Sequence, residues 1–183
     1  MTFPVALVLA AFLVLACASA PSTTDAARPL VAEGHDAKFV LQIAATKERY
    51  SVGESIQVAT RLTYVGPAPS IELGHSGGGP VVVCLEQLDG PFDPGCGSDS
   101  SCQHSTMHVG AVLEAGYQKS GGYSGDDPLA AQYRAFFADQ LVRLPPGTFR
   151  FRAIAEMDEG ECGGTHHAPQ ASITIIVAPG ATS

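Results

Sequence analysis

The sequence predicts an all-β domain, an antiparallel sandwich of about seven strands with one short helix near residues 128–140. Two observations carry this expectation. Residues 149–155 read Phe-Arg-Phe-Arg-Ala-Ile-Ala, so a period of two places Phe149, Phe151, Ala153 and Ala155 on one face and Arg150 and Arg152 on the other. The chain also holds 20 Gly and 13 Pro among 183 residues, which punctuates it too often for long helices. With 45% hydrophobic and 15% charged residues it is too apolar for a disordered chain. Its length suits about one domain.

Each strand has its own signal. Residues 37–45 form a first apolar run. Tyr50-Ser51-Val52-Gly53-Glu54 reads as a turn, and Ile56, Val58, Leu62 and Tyr64 then fall at even positions, on one strand face. Val81, Val82, Val83 and Leu85 make a β-branched run between Gly-Pro and Asp-Gly. Residues 107–113 are a weaker candidate. After 149–155, the alternation Ile173, Ile175, Val177 closes the series, with Ile176 against the pattern. In the helical segment Asp127 is a capping residue and Pro128 suits the first turn. Leu129, Tyr133, Phe136, Phe137 and Leu141 follow near helical spacing, a strand of broken register being the competing reading. The Phe pair is expected in the core. The longest loop is expected over residues 89–106.

The N-terminus points to export. Residues 5–16 are continuously apolar, shorter than the ~20 residues that span a bilayer, and small residues follow. Residues 1–16 therefore read as a signal peptide. Val14-Leu15-Ala16-Cys17 resembles the lipobox of bacterial lipoproteins, which makes Cys17 the expected lipidation site; cleavage after Ala18-Ser19-Ala20 and free secretion is the alternative. Residues 17–36 read as a flexible tether, 37–178 as the sandwich domain and 179–183 as a loose tail. Removing Cys17 leaves Cys84, Cys96, Cys102 and Cys162 as two disulfides in an exported domain. Three pairings are possible. Cys96–Cys102 closing a short Gly/Ser/Asp loop, with Cys84–Cys162, is the favoured one, and a metal site is the alternative use of these thiols.

The order of turns and strands resembles immunoglobulin-like sandwich modules of exported bacterial proteins, and also the bacterial intracellular-proteinase-inhibitor family. The residues that carry this are Tyr50-Ser51-Val52-Gly53-Glu54 with the strand through Thr63-Tyr64, then Leu88-Asp89-Gly90. The aromatic segment from Tyr133 to Phe137 and Leu144-Pro145-Pro146-Gly147-Thr148-Phe149 complete it. The resemblance spans roughly residues 38–178 and implies an immunoglobulin-like fold. It brings no catalytic or inhibitory residue across.

Several strings look like chemistry. Gly74-His75-Ser76-Gly77-Gly78 contains Gly-x-Ser-x-Gly, but a nucleophile elbow needs a helix after the serine, and Gly79-Pro80 and a valine strand follow instead. The same string resembles the Gly-Asp-Ser-Gly-Gly-Pro loop of trypsin-like proteases, with too little chain upstream for that family's His and Asp. A glycine hairpin is expected here and no catalytic residue is assigned, a serine hydrolase acting through Ser76 being the alternative. Cys102-Gln103-His104-Ser105-Thr106-Met107-His108 groups sulfur and imidazole, the ligand types copper prefers. A copper site from His104, His108 and either His166 or His167 is one expectation, and solvent-facing loop histidines are the other. Glu156-Met157-Asp158-Glu159-Gly160-Glu161 is an acidic stretch that reads as a solvated loop rather than a calcium loop. Arg143, Arg150 and Arg152 form a candidate basic binding stripe, with cross-strand pairing to Glu as the alternative.

A net charge of -8 excludes an electrostatic grip on nucleic acid. The expected function is non-catalytic: an exported module, on the membrane only through its lipid, that recognises a protein or envelope component. Its expected working surface joins residues 96–108 to residues 160–167. Proteinase inhibition and copper handling are the alternatives, and no cofactor is otherwise expected.

Overall fold

The computed structural model describes residues 28–180. The expected signal peptide, Cys17, most of the expected tether and the last residues of the tail lie outside them. The fold is all-β, with twelve strands and one short helix among the described residues. In chain order the elements are β1 (Leu30–His35), β2 (Phe39–Ala45), β3 (Arg49–Ser51), β4 (Val58–Tyr64), β5 (Ser70–His75), β6 (Val81–Gln87), β7 (Gln103–His108) and β8 (Val112–Gly116). Then come α1 (Ala130–Ala138), β9 (Gly147–Ala155), β10 (Met157–Glu159), β11 (His166–His167) and β12 (Gln170–Ala178).

Three sheets form, ordered β1-β2-β4-β8, β3-β12-β9-β6 and β11-β10-β5-β7. All neighbours are antiparallel except β3 and β12. The second and third sheets share their strands end to end. β9 pairs with β6 and runs through Glu156 into β10, which pairs with β5. β11 likewise runs through Ala168 and Pro169 into β12. His75 faces Met157 and Val81 faces Ala155, so residues 76–80 are an excursion between two collinear strands. This corrects the expected glycine hairpin: the chain leaves the ladder and rejoins it without reversing.

The alternation read in the sequence builds the core. Phe39, Leu41 and Ile43 of β2 and Leu62 and Tyr64 of β4 face Phe149 and Phe151 of β9 and Ile173 and Ile175 of β12, all of them buried. Each such side chain contributes ~1.5–3 kcal/mol of transfer free energy. β1 begins seven residues before the expected domain start, so residues 30–35 are strand rather than tether. Every second residue of β1 is half-buried, and a Cβ on Gly34 would lie 1.7 Å from the Gln170 carbonyl oxygen, so β1 lies hard against β12.

The weak strand expected over 107–113 is two strands in different sheets, β7 and β8, separated by a turn at Val109-Gly110-Ala111. The helix spans Ala130–Ala138 inside the expected range. Asp127 sits two residues before the N-cap position, which Leu129 occupies: its Oδ1 accepts from the Leu129 N–H at 2.7 Å, and its carbonyl accepts from the Ala130 N–H at 2.9 Å. Tyr133 and Phe136 are buried against Phe92, whose ring stacks on Tyr133 with centroids 5.0 Å apart. Leu141, expected on the same face, lies beyond the helix end and is exposed. The ammonium of Lys119 closes that end. It donates to the carbonyls of Phe136, Asp139 (2.7 Å) and Leu141 (2.8 Å), using all three of its donors.

Candidate functional site

The disulfides are Cys84–Cys96 and Cys102–Cys162. All four cysteines are paired, but not as favoured from spacing. Leu85 bridges to Gly95, which lays Cys96 beside Cys84 on β6. Residues 97–101 then carry the chain from the edge of the second sheet to β7 at the edge of the third, so Cys96 and Cys102 part. Cys102 meets Cys162, which lies in the turn after β10.

That second bridge fastens together the two segments expected to form the working surface. His104 on β7 faces Gly74 on β5, Gly74 faces Asp158 on β10, and Asp158 faces His166 on β11. Cross-strand partners share a face, so these four positions make one row. Glycine leaves a gap in the row, and the disulfide fills it. A Cβ on Gly74 would lie 2.7 Å from the Cys162 nitrogen and 2.9 Å from its Sγ.

Beside the bridge is a cleft of about 210 Å³, lined among others by His75, Ser76, Asp99, Asp158, Cys162 and His166. Two of its carboxylates, Asp158 and Asp99, are held in the ionised form. Asp158 accepts from the Gly163 N–H at 2.6 Å and from His166 Nδ1 at 2.9 Å, and these bonds hold it below the usual aspartate range. Asp99 accepts from the Ser101 hydroxyl and from the N–H groups of Gly77 (2.9 Å) and Ser101 (3.0 Å), with the same effect. His104 Nε2 stands 3.6 Å from Cys102 Sγ and 3.6 Å from Glu161 Oε2. The acidic stretch 156–161 is therefore part strand, not a free loop.

The serine of the Gly-x-Ser-x-Gly string has no imidazole on it: the Ser76 hydroxyl donates to the Gly79 carbonyl at 3.1 Å. His75 is engaged elsewhere, with Nδ1 2.7 Å from the Ser76 carbonyl and Nε2 3.0 Å from Ser105 Oγ.

The expected histidine set for copper is not assembled. His104 and His108 lie four residues apart on one strand, a span of ~13 Å. His166 is two strands beyond β5, bonded to Asp158. His167 faces the opposite side of its sheet and is 8% exposed. Among the described residues no three His, Cys, Asp or Glu side chains converge as a metal-binding group. The arginines do not form a free basic stripe either. Arg150 pairs with Glu86 at 2.6 Å, the cross-strand alternative, and Arg143 pairs with Asp139 at 2.8 Å. Arg152 Nε is buried with no hydrogen-bond partner among the described residues.

His167 forms a second cluster that spacing did not reveal. Its Nδ1 lies 2.7 Å from Asp36 Oδ2 and its Nε2 2.7 Å from Glu159 Oε1. Lys38 Nζ reaches the same Glu159 oxygen at 2.5 Å. With a carboxylate on each nitrogen, both ring nitrogens donate, which requires the imidazolium. Burial disfavours that charge, but the bonds to Glu159 and Asp36 outweigh it and raise the His167 pKa above the ordinary value. The cluster ties the β1–β2 turn to β10 and β11. One local sign was available: Asp36 precedes Lys38 and Phe39, whose N–H groups both bond its Oδ1 at 2.8 Å.

Among the described residues no helix is long and apolar enough to cross a membrane. The two disulfides are compatible with a periplasmic or extracellular location. Set against known proteins, the chain matches no protein-family model, no curated protein and no solved structure.

Proposed function

We propose that this protein is an exported, non-catalytic binding module of immunoglobulin-like architecture, anchored through a lipid on Cys17, that recognises a protein or envelope component. Its working surface is the disulfide-braced rim around the cleft. The observation that carries this reading is the Cys102–Cys162 bridge, which joins two exposed segments distant in sequence into one surface at the end of a rigid sheet. The rim carries Asp99, Glu156, Asp158 and Glu161, so a complementary partner presents basic or hydrogen-bond-donating groups.

The test is photo-crosslinking in the intact membrane. A benzophenone amino acid at Ser100 or Thr165, both exposed on the rim, is expected to trap one common partner. The same group at Arg61, on the first sheet, is expected to trap none. Capture should weaken with added salt and with Glu161→Gln, because Glu161 is a solvent-exposed charge. Equal capture from Arg61, or none from the rim, overturns the surface assignment. A proteinase as the trapped partner, inhibited by the purified domain, would replace recognition with inhibition. Cys17→Ser is expected to move the protein from the membrane to the soluble fraction, and unchanged membrane retention rejects the anchor.

A further inference from the structure

We propose that Cys102–Cys162 is a thiol-exchange site, at which an incoming thiolate attacks Cys162 and Cys102 departs with His104 as the group that gives it a proton. The inference stands apart from any partner and needs none for its test. Three observations carry it. Both Cys102 and Cys162 are exposed, whereas in the other bridge Cys96 is exposed but Cys84 is 8% exposed and sits within β6. Exchange requires an attacking thiolate to reach sulfur, so the Cys102–Cys162 bridge is open to attack at either sulfur and the other bridge at Cys96 alone. The His104 Nε2 lies 3.6 Å from Cys102 Sγ and from no other cysteine sulfur among the described contacts. An imidazolium beside a sulfur favours its thiolate, and a favoured thiolate is the better leaving group. The Glu161 carboxylate lies 3.6 Å from the same nitrogen, where it pairs with the ring whenever the ring is protonated.

The chemistry balances with a monothiol as reductant. Its thiolate forms a bond to Cys162 Sγ, the Cys102–Cys162 bond breaks, and the electron pair leaves on Cys102 Sγ. The Nε2 proton of His104 passes to that sulfur, and the imidazole regains a proton from solvent. A second thiolate attacks the outer sulfur of the mixed disulfide, releasing Cys162, which is protonated by water. Two monothiols become one disulfide, and the protein gains two thiols. The product has lost the covalent tie between the segment before β7 and the turn after β10, two points 60 residues apart in the chain.

The experiment treats the oxidised, folded protein with 2-mercaptoethanol, quenches in acid, alkylates and maps the peptides by mass. Cys102–Cys162 is expected to open at least about tenfold faster than Cys84–Cys96, with the first adduct on Cys162. His104→Gln, at an exposed position that leaves the fold intact, is expected to slow opening about three- to tenfold at the same pH and thiol concentration. The opening of Cys84–Cys96 should not change in that variant. Opening of Cys84–Cys96 first, a first adduct on Cys102, or an unchanged rate in His104→Gln each overturns the proposal.

Discussion

Replacing His167 by glutamine tests the buried charge cluster most directly. Glutamine keeps much of the volume and can donate to one carboxylate, but it carries no charge. The wild-type imidazolium makes two charge-assisted hydrogen bonds, at 2.7 Å to Asp36 and 2.7 Å to Glu159. Each such bond is worth ~1.5–3 kcal/mol where it is shielded. Here both carboxylates are about a quarter exposed, at 26% and 28%, and both keep other partners: the Lys38 and Phe39 N–H groups for Asp36, and Lys38 Nζ for Glu159. The edge contact of His167 with Phe39, centroids 5.0 Å apart, is also weakened. After those offsets the expected cost is ~2–3 kcal/mol at pH 5.5.

The pH dependence fixes the sign. His167 is raised above its unfolded value, so its stabilisation is fully present below the unfolded histidine pKa of ~6.5 and is lost as pH rises through the folded value. Asp36 and Glu159 are lowered, Glu159 chiefly by Lys38, so their share is present at neutral pH and lost only in acid. Above pH 5.5 the carboxylates stay ionised in both proteins, and the difference between them reports His167. Urea unfolding at pH 5.5, 7.5 and 9 is expected to give a wild-type advantage that shrinks as pH rises. A difference that is flat or grows with pH refutes the imidazolium assignment.

Three further outcomes follow from the packing. Lys119→Met removes three donors from the end of α1 and is expected to cost ~1–2 kcal/mol, read in urea, with faster amide exchange confined to residues 133–141; uniform exchange across the domain would reject the capping role. Gly34→Ala drives a Cβ into the Gln170 carbonyl and is expected to cost at least ~3 kcal/mol, and a loss below ~1 kcal/mol would mean that β1 is not seated on β12. Replacing both cysteines of a bridge by serine is expected to cost ~3 kcal/mol for Cys84–Cys96 and ~4 kcal/mol for Cys102–Cys162, because the loops closed are 12 and 60 residues. Peptide mapping without reduction that recovers Cys96 joined to Cys102 would refute the pairing itself.

Much of the fold was legible because it is written in period two. Ile56, Val58, Leu62 and Tyr64 are buried as their spacing required, and so are Ile173, Ile175 and Val177, while Ile176 is only partly covered. What spacing missed has no period to offer. β1 reads Leu-Val-Ala-Glu-Gly-His, too short and too polar to stand out from the tether before it. β5 was hidden because Gly74 sits where a strand should carry a side chain, and the reason for that glycine is Cys162, 88 residues later. The disulfide pairing failed for a related cause. Nearness in sequence favoured Cys96–Cys102, but residues 97–101 span two sheet edges, and only the three-dimensional path shows it. The candidate surface was legible as two segments. Its actual chemistry, a row with Asp158 between Gly74 and His166, depends on register, which no local pattern sets.

The strand β10 explains why the rim and the buried cluster stay apart although their residues adjoin. Asp158 and Glu159 are consecutive, so in a strand they face opposite ways. Asp158 turns outward to Gly163 and His166 at the cleft, and Glu159 turns inward to Lys38 and His167. The next pair repeats the split, His166 outward and His167 inward. β10 is three residues long and could not hold these charges alone, but it is the continuation of β9, whose Phe149 and Phe151 are wholly buried. The rim thus inherits its rigidity from the core through one strand. The inner face of that strand is latched by His167 and its outer face is braced by Cys102–Cys162. Loosening the latch by raising pH therefore weakens the support beneath the cleft while the disulfide still joins its two sides. Opening the disulfide frees the two sides while the latch still holds β10 to the β1–β2 turn.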